Sequence, residues 1–317
     1  MAGKKTTALI TGYDGFVGPW LAEELLSHGR RVTGTYFAEN KPPVAGKISL
    51  LPLDLAKYGS VREVISKSMP DEVYHLAGIS HVPTSWANPR KTFVTNLMGT
   101  VHLFEALREE KGGGRILAVS SAEVYGIPEP RDLPTKETAP LKPENPYAAS
   151  KAALDLLAYQ WSRHEDFHIV RVRPFSHTGP GQSPGFACPG FARQIAGIAR
   201  GLHPPVMTVG DLSAKRDFTD VRDVVRAYRL VLEKGECGEV FNVSSGRSRS
   251  IRGILRTLRG FCKKRIRVET DPELLRPVRI PETRGSHSKL SRATGWGPEI
   301  PFDRTLKDLY EYWLRQA

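Results

Sequence analysis

The chain has 317 residues, 40% hydrophobic and 25% charged, which suits a soluble globular enzyme of two domains or one large one. No apolar run nears the roughly 18 residues that span a bilayer, and MAGKKTTALITG lacks the apolar core and cleavage site of a signal peptide. Membrane and secreted classes are therefore not expected. Cys188, Cys237 and Cys262 are odd in number and widely spaced, which fits neither a disulfide framework nor a metal site and points to a reducing cytoplasm.

The net charge of +12 is uneven, with fourteen Lys and Arg against four Asp and Glu in residues 244–292. That segment has no interleaved aromatics and no nucleic-acid motif. Its surplus points to a small ligand with several phosphates or to a solvated face, and no nucleic-acid partner is expected.

In chain order, residues 6–11 (TTALIT) form the first expected strand, and residues 20–28 a helix closed by Gly29. Strands follow at residues 31–37 and 48–53, then a helix at 61–68 stopped by Pro70 and a strand at 72–77. A helix over 97–110, with Leu97, Val101 and Phe104 on one face, leads to a strand at 115–120. A helix over 148–164 and a strand at 169–172 complete the series. Six strands with intervening helices indicate an α/β fold, a Rossmann-type doubly wound parallel sheet over residues 1–174. Residues 177–191 (HTGPGQSPGFACPGF) read as a loop, and 175–317 as a smaller C-terminal α/β lobe that binds substrate. Residues 220–244 are expected to return to the large sheet.

TGYDGFVG follows the first strand and opens the first helix. Gly12, Gly15 and Gly18 allow the tight turn and the close approach of backbone N–H groups to a pyrophosphate, with Phe16 and Val17 at the helix start. Asp54, in LPLDL beside Leu55, is either an acceptor for an adenine amino group or a helix N-cap. Leu76, Ala77 and Gly78 end the fourth strand with residues small enough for a cofactor to lie across them.

YAASK places Tyr147 and Lys151 four apart, on one face of a helix. A phenol with a pKa near 10 needs a neighbouring cation to work at neutral pH, and Lys151 supplies it. Ser121, in SSAEVYG, adds a second donor for a developing oxyanion. His81, His177 and Cys188 read as structural.

In this order, TGYDGFVG, HLAG, SSAEVYG and YAASK resemble the extended short-chain dehydrogenases/reductases of the nucleotide-sugar type. VRPFSHTGPGQ, VGDLSAKRDFTDVRD and RGSHSKLSRATGWGPEI are most similar to the GDP-4-dehydro-6-deoxy-D-mannose reductases, and next to the GDP-mannose 4,6-dehydratases. The resemblance implies a homodimer through residues 97–110 and 148–164, NADP(H) or NAD(H) as cofactor, and a GDP-sugar substrate. It makes Ser121, Tyr147 and Lys151 the catalytic triad, with Glu123 where dehydratases keep an acid, and it puts Pro174 beside the cofactor. Asn96 and Ser176 would face the substrate, and Arg193, Arg216 and Arg276 its diphosphate. The expected reaction is reduction of a 4-keto-6-deoxy sugar. A 4,6-dehydratase, an epimerase, a bifunctional dehydratase/reductase and a non-catalytic cofactor sensor are the alternatives.

Three positions depart from the family. Ser176 replaces the Asn of an FNH motif, and Val278-Arg279 stand where a Glu follows the arginine. The second strand ends in Thr35-Tyr36-Phe37, without the acid that accepts from an adenosine 2′-hydroxyl in NAD enzymes. Acceptance of NADPH, with NADH used as well, is the expectation.

Overall fold

The structure, a computed structural model, describes residues 5–37, 42, 47–111, 114–163, 167–274 and 280–317. In chain order the first half runs β1 (Thr7–Thr11), α1 (Val17–Ser27), β2 (Arg31–Tyr36), β3 (Ile48–Pro52), α2 (Tyr58–Ser68), β4 (Glu72–His75), α3 (Val82–Ala87), α4 (Pro89–Phe93), α5 (Gly99–Glu109), β5 (Arg115–Val119), α6 (Pro146–Trp161) and β6 (His168–Pro174). The second half runs β7 (Ser176–Thr178), α7 (Ala187–Arg200), β8 (Val206–Val209), β9 (Lys215–Asp220), α8 (Val221–Lys234), β10 (Val240–Val243), β11 (Ser248–Ser250), α9 (Ile251–Gly260), β12 (Arg267–Thr270), α10 (Ser288–Thr294) and α11 (Phe302–Gln316).

Among the described residues, seven strands form one sheet in the order β10-β6-β5-β4-β1-β2-β3, every neighbour parallel. The order reverses between β1 and β4, so a crevice opens at the C-terminal ends of those strands, where such sheets bind ligands. Ile10, Tyr74, Leu117 and Val172 pack with α1 and α8 on one face, while Leu9, Val73, Ile116 and Ile169 pack with α2 and α5 on the other. Strands buried on both faces explain the near-continuous apolar runs.

The C-terminal lobe has its own core from α7, α9 and α11 over β8 and β9. Helix α9 buries Ile251, Ile254, Leu255 and Leu258, a spacing of three and four, and Ser250 caps it by accepting from the Gly253 N–H at 3.0 Å. Full burial of Leu306 or Leu309 on α11 stabilises this lobe by about 1.5–3 kcal/mol each.

β10 pairs with β6, and α10 and Trp296 join the large core beside α8. Three expectations shift. The expected loop over 177–191 holds the end of β7 and the first turn of α7, which tolerates Pro189 because an N–H at that position has no intrahelical partner to lose. Helix α6 starts at Pro146, two residues before the expected 148, because the Asn145 side chain accepts from the Ala148 N–H at 2.8 Å. The helix expected over 97–110 begins at Gly99 and is joined to α4 by a wide π turn, Val94–Met98. Its buried face is Thr100, Leu103, Phe104 and Leu107, with Leu97 and Val101 only half-buried.

Candidate active site

A cavity of about 1300 Å³ runs from the ends of β1, β2 and β4 across α6 into the C-terminal lobe. One end is the glycine loop. Gly12 has a φ of +73°, and a Cβ there would stand 2.8 Å from the Ala77 Cα. Two adjacent strand ends are thus held too close for any larger residue. A Cβ on Gly18 would lie 2.3 Å from the Tyr13 carbonyl oxygen, so α1 packs directly against the loop. The loop is tied to β2 by the Gly12 N–H donating to Thr35 Oγ1 at 3.1 Å and the Tyr13 N–H to the Thr35 carbonyl at 2.8 Å. Gly12, Gly15, Phe16, Val17, Gly18, Asp54, Leu55, Leu76, Ala77, Gly78 and Pro174 all line the cavity. Asp54 is not the N-cap of α2, whose cap is Lys57; its Oδ1 accepts from the Ala56 N–H at 3.0 Å.

At the middle stand Ser121, Glu123, Tyr147 and Lys151. Ser121 follows β5 in extended backbone, accepts from the Glu123 N–H at 3.2 Å, and lies beside the Tyr147 phenol. Its neighbour Ser120 is structural, donating to the Lys151 carbonyl at 3.1 Å. The Lys151 ammonium is buried and donates to the Val119 carbonyl at 2.8 Å. Burial pulls Lys151 down to about 8 and pushes Tyr147 up to about 12, the latter opposed by the neighbouring Ser121 hydroxyl. The expected depression of Tyr147 by Lys151 is therefore not what the protein alone provides, since desolvation dominates both groups. Glu123 Oε2 accepts from Asn145 Nδ2 at 3.3 Å, which holds the carboxylate at the foot of α6.

Of the substrate candidates, Ser176 and Arg216 line the cavity. Arg216 on β9 donates to the Ile280 carbonyl at 2.8 Å. Beside it, buried Asp217 accepts from the Ser245, Gly246 and Gly285 N–H groups and so pins three segments of the lobe together. Asn96 does not reach the cavity. It is fully buried in the π turn, where its amide accepts from the Ile79 N–H at 2.7 Å and donates to the Ile79 carbonyl at 3.0 Å. Arg193 is exposed on α7 with its guanidinium 5.9 Å from the Trp313 ring, away from the cavity. Arg276, Val278 and Arg279 lie outside the described residues. None of the described basic residues of 244–292 lines the cavity, because α9 buries its apolar face and turns Arg252 and Arg256 to solvent.

Tyr228, Lys91 and Asp14 are among the lining residues that sequence reasoning missed. Tyr228, on α8, is buried beside the site, and burial followed by the neighbouring Tyr147 raises its hydroxyl. Lys91 adds a cation from α4. Asp14, inside the glycine motif, accepts from the Phe37 N–H at 3.1 Å. Only Asp14 carried a signal, as an acid within a phosphate-binding loop. His177, read as structural, stacks on Phe16 with ring centroids 6.1 Å apart and hydrogen-bonds the Phe175 carbonyl at 3.0 Å.

A family model described as GDP-mannose 4,6 dehydratase matches residues 9–309. The chain is 37% identical to GDP-6-deoxy-D-mannose reductase of Pseudomonas aeruginosa, over 96% of each chain. The solved structure of RMD from Pseudomonas aeruginosa complexed with NADPH superposes with a TM-score of 0.87 at 35% identity, covering 99% of this chain and 100% of that one. UDP-glucose 4-epimerase of Thermus thermophilus, solved in complex with NAD, gives a TM-score of 0.86 at 27% identity, covering 98% and 100%.

Proposed function

The chain belongs to the GDP-mannose 4,6 dehydratase family, and we propose that it is an NAD(P)H-dependent reductase of a GDP-4-keto-6-deoxy-mannose-type nucleotide sugar, producing GDP-rhamnose. The observation that carries this reading is the gathering of Ser121, Tyr147 and buried Lys151 on one wall of the cavity, in a chain 37% identical to a GDP-6-deoxy-D-mannose reductase.

The glycine cradle fits a dinucleotide, since a Cβ at Gly12 would fill the space left by the closest approach of β1 and β4. Gly12, Gly15, Phe16, Val17 and Gly18 hold its pyrophosphate side, and Asp54, Leu55, Leu76, Ala77, Gly78 and Pro174 flank the rest. When bound, a reduced nicotinamide supplies the hydride delivered to sugar C4. Tyr147, kept protonated by burial, gives its proton to the C4 oxygen as negative charge develops there. Ser121 donates to that same oxygen, and the Lys151 cation lowers the cost of the tyrosinate left behind. Arg216 meets the diphosphate from β9.

Residues 175–317 then serve mainly as the substrate lobe on a cofactor domain of residues 1–174. The protein works as a homodimer in the cytoplasm. Supporting the dimer, Met98 on the π turn and Leu156 and Tyr159 on α6 are exposed large apolar side chains. Supporting the reducing compartment, all three cysteines are free. Glu123 favours one second reading, a 4,6-dehydratase in which it acts as the acid at C6.

Thermal unfolding with a panel of sugar nucleotides tests the substrate class. GDP-linked sugars raise the midpoint at concentrations where UDP-linked ones do not, and stabilisation by UDP-sugars alone contradicts it.

A further inference from the structure

The glycine loop carries an acid on the wall where β2 ends. Asp14 stands immediately before Gly15, and its carboxylate accepts from the Phe37 N–H at 3.1 Å and from its own N–H. Phe37 is the first residue past β2, and Asp14, Thr35, Tyr36 and Phe37 share one stretch of the cavity wall. In a doubly wound sheet the end of the second strand is where the adenosine ribose lies, and an acid there accepts from the 2′-hydroxyl. β2 brings no acid of its own to that point. The carboxylate comes from the facing loop instead, one hydrogen bond from the strand end.

We propose that Asp14 determines coenzyme choice, selecting NADH over NADPH, on the premise that the cleft holds a nicotinamide dinucleotide. A 2′-phosphate carries roughly −1.5 to −2 charges at neutral pH, three acceptor oxygens and no donor for a carboxylate. Beside Asp14 it meets a like charge, whereas a 2′-hydroxyl donates to the same oxygens. Burial raises the Asp14 pKa, and the two backbone N–H groups that its carboxylate accepts from oppose that rise. No described Lys or Arg lines this stretch of wall to offset the repulsion; among the described residues, Lys91, Lys151 and Arg216 are the lysines and arginines that line the cavity.

Direct titration of the free enzyme with each coenzyme, without any sugar, tests this. Wild type binds NADPH about tenfold or more weakly than NADH, and the penalty shrinks as salt rises. Asp14→Asn keeps an oxygen for the Phe37 N–H and removes the charge, so the ratio of the two affinities moves toward one as NADPH tightens. A wild-type preference for NADPH, or none for either coenzyme, overturns the proposal, as does a ratio unmoved by Asp14→Asn. If that variant binds neither coenzyme because the loop has lost its shape, the wild-type ratio and its salt dependence decide alone. Wild-type enzyme that binds neither coenzyme overturns the premise with it.

Discussion

Asn96 Nδ2 donates to Ser150 Oγ at 2.9 Å, tying the π turn to α6 one residue before Lys151. The same amide clamps Ile79, just past the end of β4, so three segments around the catalytic lysine meet at one buried side chain. Such wide turns recur at functional sites because they re-aim a side chain within a helix.

Asn96→Ala removes the partner of the half-buried Ile79 N–H and carbonyl, at about 1 kcal/mol of stability for each hydrogen bond lost. Denaturant midpoints should fall, and kcat should drop with little change in the KM for sugar nucleotide. A raised KM at normal kcat and stability would return Asn96 to the substrate site.

Tyr147→Phe removes the proton donor but leaves the glycine cradle intact. Turnover should fall by about 10² to 10⁴, the usual worth of general acid catalysis, with coenzyme affinity nearly unchanged. Near-normal turnover would remove Tyr147 from the mechanism.

Lys151 is the active cation only while protonated, and burial lowers its pKa from 10.5 to about 8. The profile of kcat/KM should therefore decline above about pH 8 as the charge is lost, well before a lysine at 10.5 would lose it. A profile flat to pH 10 contradicts this.

His75 lies fully buried between Thr11 Oγ1 at 2.8 Å and Thr100 Oγ1 at 2.9 Å, and burial drops it from 6.5 to about 3. The unfolded chain then binds the extra proton between those values, so stability is full above pH 6.5 and falls as the solution is acidified toward 3. The slope from this one group is about 1.4 kcal/mol per pH unit. His75→Asn should flatten stability against pH over that window, as read by urea unfolding at several pH values; an unchanged slope would place the titrating group elsewhere.

The doubly wound sheet was legible because both faces of each strand are buried, which writes apolar runs into the sequence. YAASK and TGYDGFVG were legible because helical spacing and a tight turn leave local marks. Arg193 and Asn96 misled for a non-local reason. Arg193 lies on the solvent face of α7 and Asn96 points inward from a π turn, which shifts the helical register that a 3.6-residue period assumes. The basic segment left a phosphate site and a solvated face both open, since its count holds no information on which face of α9 packs. The Asn145-Pro146 start of α6 is visible as a cap followed by proline, a local mark that the apolar run after it obscures.

Arg216→Ala should raise the KM for sugar nucleotide roughly ten- to a hundredfold, the worth of about 1.5–3 kcal/mol for a charged hydrogen bond to phosphate. Coenzyme affinity measured by titration should hold. If it is the coenzyme that weakens, Arg216 faces the other ligand.

The most direct measurement follows the reduced-nicotinamide absorbance with product analysis in two incubations. A reductase consumes its coenzyme one for one, whereas a dehydratase returns the hydride to the sugar at C6 and shows no net consumption. With GDP-4-keto-6-deoxymannose, the protein should oxidise added NADH or NADPH in proportion to GDP-rhamnose formed, and GDP-mannose alone should give little or no 4-keto product. Efficient conversion of GDP-mannose without net coenzyme consumption would contradict the reductase and make Glu123 the acid of a 4,6-dehydratase.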